Sequence, residues 1–320
     1  MISVVVPLFN EEATVPELVR RLDATLRSTG HRYEIILVND GSRDGTREAV
    51  RALFACYQSL VLVDLSRNFG HQIAATAGLD RARGDAVVLM DGDLQDPPEL
   101  IPAMLEQWRE GYDVVYAVRR SRRGESRFKI WTAALFYRLT ARLTNVSIPV
   151  DVGDFRLMSR RVVDVLKGMR ERHRFLRGLV SWVGYKQIGI PYDRDVRFAG
   201  STHYPVGKML KFALDGITAF SEVPLRVATY LGFSIAAFAF VYGVVVLILN
   251  ALGYNLPGYT STMLAILLLG GVQLVTIGIL GEYVGRIYDE IKERPLYLIA
   301  SVEQAGASAA SAEAATHGDT

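Results

Sequence analysis

From Val227 to Leu280 the chain carries no Asp, Glu, Lys or Arg, and no other feature constrains the fold as strongly. A hydrocarbon core about 30 Å thick takes about 20 apolar residues per helix, so the stretch is long enough for two membrane spans. The first is expected over Ala228–Leu249 and the second over Met263–Tyr283, joined by the uncharged link Asn250–Ser261, which contains Gly, Pro and Asn. Lys208, Lys211 and Arg226 precede the pair and Arg286, Lys292 and Arg294 follow it. The positive-inside rule then puts both flanks in the cytoplasm and the short link outside. The competing reading is a buried helical hairpin in a soluble protein, but a soluble core rarely needs so long an uncharged run.

The rest of the chain has a different character. Charged residues make up 22% of the whole, and the residues before the uncharged stretch carry most of them. A net charge of +2 is too mild to select nucleic acid as a partner. The single cysteine, Cys56, rules out an intramolecular disulfide framework and suits a reducing compartment. No basic segment followed by an apolar run precedes the first strand at Ile2, so the polar part is expected to stay on the side where it was made.

Strand and helix patterns alternate through the first 120 residues. Short apolar, β-branched runs at Ile2–Val6, Tyr33–Val38, Leu60–Leu65, Ala86–Met90 and Asp113–Ala117 read as strands. Helical spacing marks Val15–Leu26, Thr46–Tyr57, Gln72–Arg83 and Pro98–Glu110. The alternation predicts an α/β domain with a mostly parallel sheet covered on both faces. Ligands of such sheets bind beyond the carboxyl ends of the strands, where Asp40, Asp91 and Asp93 fall. Further on, Phe128–Leu143 and Met209–Phe220 read as amphipathic helices, either core elements or elements of a membrane interface.

The chemistry concentrates in Met90-Asp91-Gly92-Asp93-Leu94-Gln95-Asp96. Two carboxylates two residues apart, on a turn loosened by Gly92, can converge on one hard cation, and Mg²⁺ or Mn²⁺ bridges well to diphosphate oxygens. An EF-hand starting at Asp91 fails, because its sixth position is Asp96 and its twelfth Pro102. Asp40 could accept hydrogen bonds from a base or a ribose, or could simply form an Asx turn ahead of the next helix. There is no Walker A sequence and no Gly-x-Gly-x-x-Gly after the first strand, which disfavours P-loop enzymes and dehydrogenases. The basic run Arg119-Arg120-Ser121-Arg122-Arg123, with Arg127 and Lys129, suits either bound phosphate or lipid headgroups.

Three segments in this order resemble the family 2 glycosyltransferases of GT-A fold. They are Val4-Val5-Val6-Pro7-Leu8-Phe9-Asn10-Glu11-Glu12, Asn39-Asp40-Gly41-Ser42-Arg43-Asp44-Gly45-Thr46 and Asp91-Gly92-Asp93-Leu94-Gln95-Asp96-Pro97-Pro98-Glu99. Leu65-Ser66-Arg67-Asn68-Phe69-Gly70-His71-Gln72, Val152-Gly153-Asp154-Phe155-Arg156-Leu157-Met158-Ser159 and the paired spans narrow the resemblance to the polyprenyl-phosphate glycosyltransferases. The match covers roughly residues 2 to 300.

The resemblance implies that Pro7, Phe9, Glu11 and Asp40 line a nucleotide pocket, that Asp91 sits near the ribose or diphosphate, and that Asp93 with Gln95 holds Mg²⁺ or Mn²⁺. It implies that Arg119 and Arg127 meet phosphate groups, and that Asp154 orients the sugar or acceptor. The implied reaction is inverting transfer of a sugar, glucose from UDP-glucose in the first instance, to undecaprenyl or another polyprenyl phosphate. The implied place is the cytoplasmic face of the inner membrane. A homo-oligomer is left open, and nucleic acid is not a partner. The implied layout is a GT-A domain at 1–200, an interface helix at 201–226, two transmembrane helices at 227–285 and a cytoplasmic tail at 286–320, disordered at its end. The alternatives are a processive polysaccharide synthase, which usually carries more spans and a Gln-x-x-Arg-Trp segment not found here, and a non-catalytic membrane scaffold with the same fold.

Overall fold

The computed structural model describes residues 1–120, 152–193, 223–253 and 258–305. Within the first part, β1 (Ile2–Leu8), β2 (Tyr33–Asn39), β3 (Leu60–Leu65) and β4 (Ala86–Leu89) alternate with α1 (Val15–Ser28), α2 (Thr46–Ala52) and α3 (His71–Arg81). Every residue of β1 is buried, as expected for a strand with neighbours on both edges and helices on both faces. Helix α4 (Ile101–Arg109) and β5 (Val114–Arg119) follow. Then come β6 (Val152–Ser159), α5 (Arg160–Gly168), α6 (Leu176–Trp182) and β7 (Gln187–Tyr192).

The sheet has eight strands in the order β7-β5-β6-β4-β1-β2-β3 and, at the far edge, a strand from the C-terminal end, β8 (Ile299–Gln304). Pairing is parallel for β1 with β2 and β4, β2 with β3, and β5 with β7. It is antiparallel around β6 and between β3 and β8. Strands β2 and β3 build out from one side of β1 and β4 lies on the other, so the order reverses between β1 and β4. A crevice beyond the carboxyl ends of the strands at such a reversal is where a doubly wound sheet binds its ligand.

Strand β8 corrects the expectation of a tail from residue 286. The long helix α8 (Tyr259–Ile291) ends at Ile291, and the chain then returns to cover the outer edge of β3. Leu62 pairs with Glu303 and Asp64 with Ser301. An uncovered β3 would present a row of unpaired backbone groups on an apolar strand, which is an aggregation hazard. Side chains reinforce the cover: Glu303 receives the fork of Arg51 at 2.8 and 2.6 Å, and Arg47 reaches both Ser301 and Glu303. The Arg51 fork holds the Glu303 carboxyl down at about 2. Residues 294–305 also dock through Tyr297, whose hydroxyl donates to Asp80 at 2.7 Å, and Leu298, whose carbonyl accepts from Ser66 N–H at 2.9 Å.

A second unit contains the helices α7 (Val223–Ala251) and α8. Both are long and apolar enough to cross a membrane, with mean hydropathy of 2.5 for Val223–Ala251 and 1.4 over Leu268–Ile291. Their large apolar side chains are exposed, Phe238 and Leu274 at 72%, the opposite of what a soluble core helix shows. The expected amphipathic helices Phe128–Leu143 and Met209–Phe220, and Arg122, Arg123, Arg127 and Lys129, lie outside the described residues.

Candidate active site

Two loops at the carboxyl ends of β1 and β2 grip each other. Asn10 N–H donates to Ser42 Oγ at 3.0 Å, and Asn10 Oδ1 accepts from Arg43 N–H at 2.9 Å. Glu11 N–H reaches Thr46 Oγ1, Glu12 N–H reaches Asp44, and Gly45 N–H returns to Glu12. Asn10 adopts a φ of +56°, within the left-handed region that Asn tolerates. Pro7 lies buried in β1 and Phe9 stands 45% exposed beyond its end. Glu11 accepts from the Thr14 hydroxyl at 2.8 Å. Asn10, Glu11 and Glu12 therefore form one rim with the Ser42–Thr46 loop, and Pro7 and Phe9 adjoin it in sequence.

Asp40 belongs to that rim in another capacity. Its carboxylate is buried, accepting Phe69 N–H at 2.7 Å and Gly70 N–H at 2.9 Å, so it fastens the loop after β3 rather than forming the Asx turn that the sequence allowed. Burial pushes its pKa up, and the two N–H groups pull it part of the way back. Gly41 is required beside it. Its φ is +63°, and a Cβ there would come within 2.4 Å of the Arg67 carbonyl carbon.

The Asp91–Asp96 turn leaves β4 next to β1. Gly92 does not loosen this turn; it permits close packing, because a Cβ there would meet Leu8 Cδ2 at 2.6 Å and Pro7 O at 3.3 Å. Leu94 has a φ of +58° while its side chain is buried in the core. A bulky residue in that region costs on the order of 1–3 kcal/mol and persists where its surroundings impose it, commonly at functional turns. Asp93 is buried and accepts Gln95 N–H at 3.1 Å, and Gln95 is half-buried.

Asp91 faces a different set of partners. Its Oδ1 lies 3.2 Å from His71 Nε2, and the same nitrogen lies 3.3 Å from Asp154 Oδ2. Donor atoms of His71, Asp91 and Asp154 all fall within 4.8 Å of one another, and Asp93 is not part of that group. Burial works against charge on His71, but the two carboxylates outweigh it and push the ring up to about 10.

Asp154, on β6, is a fully enclosed acid of the site. Arg177 Nε donates to Oδ1 at 2.8 Å, while Arg177 Nη2 and Gln72 Nε2 donate to Oδ2 at 3.2 and 3.1 Å. Burial opposes its ionisation, but Arg177, His71 and Arg156 hold it well below the ordinary carboxylate value. Arg156 is buried too, donating to the Gly153 and Asp154 carbonyls, and desolvation lowers its own pKa to about 10 despite the Asp154 charge. Arg119 closes this side: a Cβ on Gly153 would meet its Nη2 at 3.1 Å. Its Nε is buried with no hydrogen-bond partner among the described residues.

Of the predicted residues, the structure gathers Asp91, Asp154 and Arg119 at one end of the sheet and Pro7, Phe9, Glu11 and Asp40 on the adjoining rim, while Arg127 lies outside the described residues. His71, Gln72, Arg156 and Arg177 were not singled out as site residues. The first three stand inside segments that carry the family resemblance, so the sequence did hold a signal for them. Arg177 stands in no motif.

A mixed sheet with a parallel centre, acids at its switch point and two following apolar helices agree with a glycosyltransferase of GT-A fold, and the family matches show that class. Residues 3–166 match Glycosyl transferase family 2, and residues 223–287 match the GtrB C-terminal hairpin. An uncharacterized glycosyltransferase of Bacillus subtilis is 50% identical over 93% of this chain and 92% of its own. A prophage bactoprenol glucosyl transferase homolog of Escherichia coli is 44% identical over 95% of this chain and 99% of its own. The bactoprenol glucosyl transferase of Shigella phage SfII is 45% identical over 93% and 97%. Among solved structures, mannosyl-3-phosphoglycerate synthase from Rubrobacter xylanophilus aligns with a TM-score of 0.47 and 20% identity, over 68% of this chain and 72% of that one. The chain belongs to glycosyl transferase family 2.

Proposed function

We propose that this enzyme transfers a sugar, with inversion, from a nucleotide sugar to a polyprenyl phosphate at the cytoplasmic face of the inner membrane, and that the preferred pair is UDP-glucose and undecaprenyl phosphate. The observation that carries the reading is the continuity of one chain. Acids at the switch point of the sheet are followed by two helices apolar enough to enter the bilayer where such an acceptor resides. The relatives named bactoprenol glucosyl transferases align with 93–95% of the chain, catalytic unit and hairpin together. The basic residues flanking the hairpin favour the cytoplasmic orientation.

A divalent ion fits the residues present. Asp91 Oδ1 is buried and makes no well-aligned hydrogen bond, and Asp93 and Gln95 add oxygen donors on the same turn. Asp93 with Gln95 would hold Mg²⁺ or Mn²⁺, and Asp91, grouped with His71 and Asp154, offers a further oxygen; the ion when bound offsets charge on the departing diphosphate. The rim from Pro7 to Glu11, with the loop that Asp40 fastens, would bind the nucleotide. Arg119, with its unpartnered Nε, is suited to a phosphate oxygen, as is Arg127.

The acceptor phosphate is largely dianionic at neutral pH because its second pKa is near 6. One of its oxygens attacks C1, the bond from C1 to the diphosphate oxygen breaks, and the nucleoside diphosphate leaves with that electron pair. No proton has to be removed, so the side chains orient and neutralise. The test is incubation of purified protein with polyprenyl phosphate, Mg²⁺ or Mn²⁺ and a panel of radiolabelled nucleotide sugars. Label should enter the lipid fraction with inverted anomeric configuration. Absence of lipid-linked label with every donor would sink the reading.

A further inference from the structure

Gln72, the second residue of α3, uses both ends of its carboxamide. Nε2 donates to Asp154 Oδ2 at 3.1 Å, and Oε1 accepts Leu176 N–H at 3.0 Å. Leu176 opens α6, and the next residue, Arg177, lays its fork on Asp154. On the other side of Gln72 in the chain, His71 spans Asp154 and Asp91. One carboxamide thus joins the starts of α3 and α6 to β6 and, through its neighbour, to the end of β4.

Asp154 has little left to offer a substrate. A carboxylate accepts at about four positions. Arg177 fills two, Gln72 a third, and His71 faces the same oxygen as Gln72. A general base must come within hydrogen-bond reach of the proton it takes, and here that approach is occupied by the protein's own donors.

We propose that Gln72 and Arg177 are positioning residues that act through Asp154 to hold His71 against Asp91, and that Asp154 anchors this joint rather than serving as the base of the transfer. The joint ties the acid on the donor side to the loop expected on the acceptor side, so the geometry at Asp91 depends on contacts made two elements away. The inference rests on the proposed reaction for its kinetic part only.

The experiment uses the full-length protein in detergent and the variants Gln72→Ala, Gln72→Glu, Asp154→Asn and the double variant Gln72→Ala/Asp154→Asn. Binding of UDP with and without Mn²⁺ is measured by calorimetry, together with kcat, KM and thermal midpoint. Removing an outer contact of this kind typically costs 10–100-fold. Gln72→Ala is expected to weaken Mn²⁺-dependent UDP binding and kcat by about that factor. The double variant is expected to lose no more than the worse single one, because both changes break the same joint. Gln72→Glu keeps an acceptor for Leu176 N–H but sets a carboxylate against Asp154. It covers the case in which Gln72→Ala fails to fold, and it is expected to lose binding as well. The proposal is overturned if Gln72→Ala and Gln72→Glu both bind UDP and Mn²⁺ within about twofold of the parent, since that is below the loss an outer contact carries. It is also overturned if Asp154→Asn abolishes turnover with UDP and Mn²⁺ affinity intact. If the parent transfers no sugar to polyprenyl phosphate, the proposed function falls while the binding measurements still decide the joint.

Discussion

Deleting residues 294–320 while keeping both apolar helices removes β8 together with the docking segment of Tyr297 and Leu298, and the structure sets the size of the effect. Five residue pairs join β3 to β8, and the flanking bonds Ser66 N–H to Leu298 O and Ala305 N–H to Leu60 O add 2.9 and 3.1 Å contacts. A backbone hydrogen bond contributes about 1 kcal/mol net, and an exposed ion pair such as Glu303 with Arg51 about 0.2–1 kcal/mol. Side chains of β8 are half-buried or exposed, so apolar burial adds little. The loss is about 5 kcal/mol, a large part of the 5–15 kcal/mol that stabilises a domain. A domain of this size shifts by about 2–4 °C per kcal/mol, which predicts a fall of roughly 10–20 °C in thermal midpoint. The comparison is with a chain ending at Ala305, measured by scanning fluorimetry in the same detergent. Size-exclusion chromatography should also show self-association through the bared Leu60–Leu65 edge. If the two truncations melt within about 2 °C of each other and both run as discrete species, the reasoning about the β3 edge is wrong.

Other outcomes follow from single contacts. Asp93→Ala should abolish transfer while the thermal midpoint stays near the parent's, and near-normal turnover would remove Asp93 from the metal assignment. Gly41→Ala forces a Cβ into the backbone of Arg67 at a left-handed φ and should destabilise by roughly 1–3 kcal/mol, read by chemical denaturation. Gly30→Ala, also left-handed but with open space around it, is the control for strain without a clash. Glu303 is held below its ordinary value of 4.5, at about 2, so its ion pair contributes stability above pH 4.5 and loses it as pH falls towards 2. The stability difference between the parent and Glu303→Gln should therefore narrow over that window, and a constant difference would count against the pair.

How much of this was readable in advance depended on where the charges lie. Strands β1 to β4 are apolar runs ending in turn residues, and Leu60–Leu65 falls where the pattern puts it. Strand β6 is legible only through the family resemblance, because Val152-Gly-Asp-Phe-Arg-Leu-Met-Ser puts Asp154 and Arg156 inside a buried strand. Such a strand is stable because Asp154 meets partners from α3 and α6 and Arg156 turns back onto the carbonyls of Gly153 and Asp154, which local pattern cannot show. Strand β8 was hidden for a related reason. Ile-Ala-Ser-Val-Glu-Gln turns Ser301 and Glu303 towards Arg47 and Arg51, and its partner strand lies far back in the chain. The Asp-x-Asp turn was legible as a candidate site, but the association of Asp91 with His71 and Asp154 was not, since those three come from separate elements.

The same burial bears on how an inactive Asp154 variant should be read. Removing one member of a buried charged group strands the others, at about 3–5 kcal/mol, because an uncompensated charge is left without water. Asp154→Ala would strand Arg156 and release the fork of Arg177, so loss of activity there is expected whether or not Asp154 touches substrate. Asp154→Asn keeps the shape and the acceptor oxygen, and removes the charge that balances two arginines and His71. Only a variant that spares the fold while changing that balance separates an anchor from a base, and Gln72, which is uncharged, does so from outside the ion pairs.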